Sequence, residues 1–134
     1  MKLVTRNTDY GVRSICYIAK AKGRVVTVAE LCQQLKIARP FLRVILQKLH
    51  HKAILNAAKG RKGGFTLNKK SSTISLLDIM CIFQGEEGFL HCRTLGKKCD
   101  NMPVCPLRRR LKKLETDFFA ELSKITIKSL IDEI

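Results

Sequence analysis

The chain has 134 residues, enough for one domain with its own hydrophobic core, so folding does not require disulfide bonds. Its formal net charge is +15 at pH 7, and 46% of its residues are hydrophobic. The N-terminal stretch reaches Arg6 before an apolar run builds, and the apolar stretch ISLLDIMCIF is broken by Asp78. We therefore expect no signal peptide and no membrane partner, but a cytoplasmic protein whose clustered cysteines indicate metal or redox chemistry.

The positive charge is concentrated in the first part of the chain. Residues 1–75 hold 16 lysines and arginines against two acids, a net charge of +14, whereas residues 76–134 hold 10 against nine, a net of +1. A surface that only keeps a protein soluble has no reason to be confined to one segment. Because neutralised phosphates release counterions, a polyanion explains the asymmetry, and we expect a nucleic-acid partner.

Three helices are predicted at the start of the chain. The first begins at Asn7 or Thr8, both favourable N-cap residues, and ends near Gly23. The second covers residues 28–35 behind a capping box of Thr27 and Glu30. The third has an apolar stripe formed by Leu42, Ile45, Leu46 and Leu49. Its opposite face carries Arg39, Arg43, Gln47 and Lys48. Two short helices joined by a tight turn, the second with a basic outer face, are typical of a helix-turn-helix.

A β-hairpin is predicted directly after this helix pair, in the position of a wing. Its strands cover residues 54–58 and 65–67, and the turn between them reads KGRKGG. The turn places Lys59, Arg61 and Lys62 where they can meet a phosphate or a minor groove. It is not a nucleotide-binding loop, since the Walker spacing is absent and no helix follows.

The second part of the chain is predicted to be helical around one irregular loop. A helix opens near Ser75 and ends at Gly85, a long amphipathic helix begins at Leu107, and a short helix capped by Thr126 follows. The long helix can serve as a core element or as a dimer interface. We expect a homodimer, because helix-turn-helix proteins commonly read two half-sites. The expected fold is mainly α with a small β-hairpin: a winged helix-turn-helix over residues 1–75, then a cysteine loop (88–106) and dimerisation helices over 76–134.

The irregular loop contains three cysteines, Cys92, Cys99 and Cys105, with the spacing C-x6-C-x5-C. Thiolates are soft ligands that suit zinc or iron–sulfur clusters. Zinc would favour a tighter C-x2-C knuckle and a fourth ligand such as His91, so the wide spacing fits a cluster better. Unliganded thiols are the remaining alternative. The other cysteines lie within predicted helices and are interpreted as packing residues: Cys16, Cys32 and Cys81. We find no catalytic constellation and expect no enzyme and no small-molecule substrate.

The chain resembles the Rrf2 family of bacterial winged-helix regulators over essentially its whole length. The resemblance rests on LVTRNTDYGVRSICYIA, VAELCQQLKIARPFLRVILQKLHHKAIL, the wing AAKGRKGGFTL, SLLDIM, and the three-cysteine loop followed by PLRRRL and ITIKSLID. It implies a homodimer that binds double-stranded promoter DNA and carries a 2Fe–2S or 4Fe–4S cluster on Cys92, Cys99 and Cys105.

The fourth cluster ligand varies within that family. IscR-type members use a histidine at the position of Arg108, so that ligand is excluded here. NsrR-type members, which respond to nitric oxide, use an aspartate in the first helix of the other subunit. Thr8-Asp9-Tyr10-Gly11 matches their pattern, which makes Asp9 the candidate. The alternative interpretation of Asp9 is an early-helix acid favoured by the helix dipole.

Our hypothesis is a DNA-binding regulator that senses nitric oxide, redox or iron–sulfur status. The third helix is expected to face bases through Arg39, Phe41 and Arg43, and the wing to meet phosphates or the minor groove through Lys59, Arg61, Lys62 and Gly63. Members of the family commonly start this helix with serine or threonine and carry a polar residue at the position of Arg43. The segment Ala38-Arg39-Pro40-Phe41 and Arg43 therefore indicate a different operator. Two alternatives stay open: a cluster-free or zinc-bound winged-helix regulator, and a redox or metal-delivery module that binds an acidic protein.

Overall fold

A computed structural model describes residues 3–85 and 104–134, and within them the chain is mainly helical with one β-hairpin. The elements are α1 (Arg6–Lys20), α2 (Val28–Leu35), α3 (Arg39–His51), β1 (Leu55–Ala58), β2 (Gly64–Leu67), α4 (Leu76–Gln84), α5 (Pro106–Lys124) and α6 (Ile127–Asp132). A short 3-10 turn, Ser71–Thr73, connects the hairpin to α4. This is the winged helix-turn-helix order that the sequence predicts, with α2 and α3 as the helix pair and the hairpin as the wing.

The first helix begins earlier than the sequence indicated. Thr5 is the N-cap, and its hydroxyl accepts a hydrogen bond from the Thr8 backbone N–H. Thr8 is fully buried, and its own hydroxyl donates to Gln84 Oε1 at 2.7 Å. The predicted cap at Asn7 or Thr8 was therefore wrong, because Thr8 uses its hydroxyl for a contact with α4. The helix also ends at Lys20, short of Gly23.

The second and third helices follow their predicted patterns with one difference. Thr27 caps α2 by accepting from the Glu30 backbone N–H at 3.1 Å. The Glu30 carboxylate was predicted to complete a capping box, but it accepts hydrogen bonds from Tyr17 and Arg24 instead. The reciprocal capping boxes that the structure does contain are at the starts of α4 and α6, with Ser75 and Thr126 as caps.

The hydrophobic core lies where α1, α3 and the hairpin meet α4 and α6. The apolar stripe of α3 is buried, and Ile15 of α1, Ile79 of α4 and Ile127 of α6 are fully buried in the same cluster. Cys16 belongs to this core and Cys32 packs against it, as the sequence predicts for packing residues. Cys81 is half-buried in α4. The C-terminal helix α6 therefore packs against the core of the winged helix.

Outside this core, α5 projects a largely uncovered apolar stripe. Leu107, Leu111 and Leu114 are exposed, and Leu122 is the only residue of α5 that is buried against other described residues. No helix of the described residues is long and apolar enough to cross a membrane. The predicted cysteine loop falls mostly outside the described residues, and Cys92 and Cys99 lie in that part.

Candidate nucleic-acid interface

The outer face of α3 presents a continuous surface of basic and apolar side chains. Pro40 stands in the first turn, where its missing N–H costs no hydrogen bond. Arg39, Arg43 and Phe41 are all exposed, Phe41 to 63% of its surface. Every residue of α3 that the sequence assigned to DNA is therefore accessible from solvent.

The structure adds Val44 to this face. Val44 follows Phe41 by three residues, and 62% of its surface is exposed although it is apolar. Exposed valine and aromatic side chains on a basic helix are suited to contact with the methyl group of thymine. Helical spacing from Phe41 was the signal that could have identified Val44 from the sequence.

The wing is held close to α2 by the backbone. Val26, in the connection before α2, and Phe65 of β2 exchange two hydrogen bonds, of 3.0 and 2.8 Å. A side chain at Gly64 would collide with the Val26 carbonyl, so this approach requires glycine. At the tip, Gly60 has φ +107°, and its carbonyl accepts from the Gly63 backbone N–H at 3.0 Å. The tip is thereby fixed relative to the helix pair.

Basic side chains of the wing and α3 border the same cleft. The cleft has a volume of about 430 Å³ and is lined by Arg39 at the start of α3 and Arg61 at the wing tip. The N-terminal turn of α2 forms another wall, with Thr27, Val28 and Ala29. Lys59 and Lys62 are exposed beside Arg61. The structure thus brings Arg39, Arg61 and Gly63 to one place, while Arg43 and Phe41 lie further along the outer face of α3.

The end of α4 contacts both α1 and the recognition helix α3. A Cβ at Gly11 would lie 2.5 Å from Cε2 of Phe83, so the ring packs directly on the α1 backbone. On α3, the Lys48 ammonium lies 5.5 Å from the centroid of the same ring, a cation–π distance. Gln84 accepts hydrogen bonds from Thr8 and from the Thr5 backbone N–H. These contacts join the C-terminal end of α4 to both α1 and α3.

Two of the four predicted cluster ligands lie within the described residues. Cys105 is a free, half-buried thiol immediately before α5. Asp9 lies in the first turn of α1, where 53% of its side chain is exposed and its carboxylate is 3.7 Å from Arg13. No group of three or more candidate metal-binding side chains occurs within residues 3–85 and 104–134, a range that omits Cys92 and Cys99.

Ionisable groups near α2 form a local network that ties three segments together. Glu30 accepts from Arg24 at 2.7 and 3.0 Å and from the Tyr17 hydroxyl at 2.8 Å. These hydrogen bonds, Arg24's first, lower the pKa of Glu30 from 4.5 to about 2, and the bond to Glu30 raises the pKa of Tyr17. Burial raises the pKa of the Cys16 thiol, which suits a packing residue. Glu30 therefore stays ionised and paired, and contributes no free negative charge near the cleft.

Known structures share this fold at low sequence identity. The structure described as CymR (YrzC), the global cysteine regulator of B. subtilis, has a TM-score of 0.81 and 17% identity, and the match covers 100% of this chain and 99% of that chain. T. potens IscR has a TM-score of 0.76 and 19% identity over 99% of this chain and 88% of its own. The oxidized form of Staphylococcus aureus CymR has a TM-score of 0.75 and 19% identity over 100% of this chain and 98% of its own.

The family of the chain is shown by a sequence match to a family model, whereas the structural similarities above show only the fold. The model described as Rrf2, iron-dependent transcriptional regulator, matches residues 4–133, nearly the whole chain. Together with the winged helix-turn-helix and its basic outer face, this match makes the protein a transcriptional regulator and not an enzyme. The chain belongs to the Rrf2 family.

Proposed function

We propose that the protein is a homodimer that binds double-stranded promoter DNA, with α3 in the major groove and the wing against the backbone or minor groove. One observation carries this proposal: Arg39 of α3 and Arg61 of the wing border the same cleft, so both elements present one cationic surface. Phe41, Arg43 and Val44 occupy the outer face of α3, where base edges would lie. Such a regulator acts in the cytoplasm, where bacterial DNA is found.

The test of DNA binding is the salt dependence of association. Fluorescence anisotropy with a mixed-sequence duplex should give an affinity that falls steeply as salt increases, because bound phosphates release counterions. Arg61→Ala should weaken binding to all sequences and reduce the salt slope. A wild-type protein that does not bind the duplex at low salt, or binds independently of salt, would refute the proposed interface.

The dimer would form through the apolar stripe of α5. Leu107, Leu111 and Leu114 are exposed on one face of this helix, and burying them against a second copy would remove apolar surface from water. A twofold arrangement would place two α3 helices on successive half-sites of DNA. The spacing of the two recognition helices would then depend on how the α5 helices are held.

The regulatory signal is proposed to act through an iron–sulfur cluster, 2Fe–2S or 4Fe–4S, held by Cys92, Cys99 and Cys105 with Asp9 of the partner subunit. The donor set suits such a group, since three thiolates and a displaceable carboxylate are available. The described donors fit this role, because Cys105 is free and the Asp9 carboxylate is exposed and weakly paired. When bound, the cluster would supply iron that reacts with nitric oxide or oxidants. Ligation would tie residues 88–106 to α5 of one subunit and α1 of the other.

The contacts of Phe83 and Gln84 support transmission of that signal to DNA. Both residues lie at the C-terminal end of α4, a few residues before the cysteine loop (88–106), and they contact Gly11, Thr8 and Lys48. A change in the ligands or conformation of the cysteine loop would therefore be passed through Phe83 and Gln84 to α1 and α3. Loss or modification of the ligands is expected to alter DNA affinity by this route.

Anaerobic purification followed by iron, sulfide and absorption measurements tests the cluster proposal. Wild-type protein should be brown, with visible charge-transfer bands that are lost in Cys99→Ala, while Cys32→Ala keeps them as the matched control. Circular dichroism should show that the Cys99 variant remains folded. A colourless wild-type protein without iron, prepared strictly without air, would refute the cluster while leaving the DNA interface standing.

A cluster-free thiol switch is the second candidate. It is favoured by the fold neighbours described as the global cysteine regulator of B. subtilis and as the oxidized form of S. aureus CymR. In that case iron is absent, and oxidation of the cysteines changes DNA affinity reversibly with added thiol. Zinc analysis of the same sample separates a zinc-bound regulator from free thiols.

A further inference from the structure

The cleft between the wing and the helix pair has features that DNA binding in general does not require. It is lined by arginines from two different elements, Arg39 at the start of α3 and Arg61 at the wing tip. Among residues 3–85 and 104–134, no carboxylate forms an ion pair with either group. The nearest acid of α2, Glu30, is already engaged by Arg24 and Tyr17. Within the part of the chain that the structure describes, the cleft therefore has two arginines and no acidic residue paired with them.

The walls of the cleft are backbone and small residues. A Cβ at Gly63 would lie 2.5 Å from the Ala58 carbonyl oxygen, and the Gly64 backbone packs on Val26, so neither position can carry a side chain that fills the space. Val28 and Ala29, on the opposite wall, belong to the first turn of α2, where backbone N–H groups lack an acceptor within the helix. The two reciprocal hydrogen bonds of Val26 and Phe65 hold these walls at a fixed separation. The cleft is thus open, rigid and rich in donors.

We propose that this cleft is a subsite for one backbone phosphate of double-stranded DNA, clamped between Arg39 and Arg61. Guanidinium groups bind phosphate oxygens bidentately, and two arginines that line one cleft can share a single tetrahedral anion. The proposal rests on the proposed DNA binding and deepens it. It changes the role of Arg39, which the sequence assigned to bases, into that of a residue that fixes the register of α3 on the duplex. Phe41, Arg43 and Val44 are left to read bases.

Counting phosphates by salt dependence tests this clamp. Each neutralised phosphate contributes about 0.9 to the slope of log Kobs against log salt concentration. The double variant Arg39→Gln with Arg61→Gln should therefore reduce the slope by about 0.9 per subunit, the value of one shared phosphate. A reduction of about 1.8 per subunit would mean two separate phosphates and would overturn the clamp. Arg109→Gln, on the face of α5 opposite Leu107 and Leu114, is the matched control and should leave the slope unchanged.

Sequence preference separates a phosphate contact from a base contact. Across a panel of duplexes, Arg39→Gln should weaken binding by a similar factor for every sequence, whereas Arg43→Gln should change the order of preference. A changed order with Arg39→Gln would show that Arg39 reads bases, against the proposal.

Titration with inorganic phosphate tests the cleft without DNA. In amide NMR spectra of the wild type, the Val28, Ala29, Gly63 and Gly64 signals should shift and saturate, and the double variant, with the rest of its spectrum unchanged, should show no such shifts. The same shifts in the double variant, or none in the wild type, would overturn the clamp. If the duplex does not bind but the phosphate shifts appear, the proposed function fails and the cleft is an anion site of another kind.

Discussion

Two amphipathic helices of this protein, α3 and α5, bury their apolar stripes to very different extents. In α3 the stripe residues Leu42, Ile45, Leu46 and Leu49 are each at most 2% exposed. In α5 the corresponding residues Leu107 and Leu114 are 65% and 63% exposed. The recognition helix thus finds its packing partner within the winged helix itself. For the exposed leucines of α5, the described residues of the same chain supply no such packing partner.

This difference in burial separates the winged helix, whose apolar residues are packed within one chain, from α5, whose leucines are exposed. The surface proposed to bind DNA, α3 and the wing, packs on a core that one chain forms by itself. A single chain is therefore enough to orient α3 and the wing. In the proposed dimer, the arrangement of α5 would depend on the second copy. In the proposed dimer, a signal that changes the arrangement of α5 would alter the spacing of the two α3 helices, while the core of each winged helix stays intact.

The largest expected effect comes from a leucine in the α3 stripe. Leu46→Ala should lower the free energy of unfolding by about 3 kcal/mol, because a fully buried leucine leaves a cavity. Leu114→Ala removes the same atoms from an exposed site and should change the stability of dilute protein by less than about 0.5 kcal/mol. Urea denaturation monitored by circular dichroism measures both. If both substitutions lowered the free energy of unfolding equally, the proposed difference in burial between α3 and α5 would be wrong.

The next effect concerns association. Replacing Leu107 and Leu114 together by serine should raise the dimer dissociation constant at least about 100-fold, since each buried leucine contributes about 1.5–3 kcal/mol. Sedimentation velocity measures the constant, with Arg109→Gln as the control on the opposite face. If the wild type stays monomeric at tens of micromolar, or if the double variant dimerises unchanged, the α5 stripe is not the dimer interface.

A smaller effect is expected where α4 meets α1. Gly11→Ala would place a Cβ 2.5 Å from the Phe83 ring, and overpacking of this kind costs about 1–3 kcal/mol, partly offset by the better helix propensity of alanine. The ring should shift away from Lys48, and DNA affinity should fall by more than the loss of stability explains. Adding Phe83→Leu should restore stability, which thermal denaturation can show. No loss in Gly11→Ala would mean that the ring moves freely and cannot link the two helices.

The sequence predicted the parts of the fold that are determined locally. Apolar spacing gave the buried face of α3, and the basic glycine turn gave the wing, because both signals lie within a dozen residues. The Thr5 cap was missed because Thr8 is drawn into a contact with Gln84, far away in the chain. The close approach of Gly11 to Phe83 is likewise a product of packing between distant segments.

The site was predictable to a similar degree. Exposure of Arg39 and Arg43 was expected because the sequence placed them outside the apolar stripe of α3. That Arg39 and Arg61 share a cleft was not expected, since it depends on the hydrogen bonds between Val26 and Phe65. The cysteine ligands rest on spacing and resemblance, and they remain a prediction.

The smallest expected effect is in the winged helix, where Glu30 makes the stability of the fold depend on pH. The folded pKa of Glu30 is about 2, below its ordinary value of 4.5, so the ionised carboxylate stabilises the fold. That contribution is fully present above about pH 4.5 and is lost as the pH falls towards about 2. Glu30→Gln should therefore lower the Tm at pH 7, and the difference from wild type should shrink between pH 5 and pH 2. Tyr17→Phe, which removes one of the donors, should give the same pattern with a smaller amplitude. A difference that stays constant across this range would mean that Glu30 acts through packing and not through its charge, and the link from α1 to α2 would then owe nothing to ionisation.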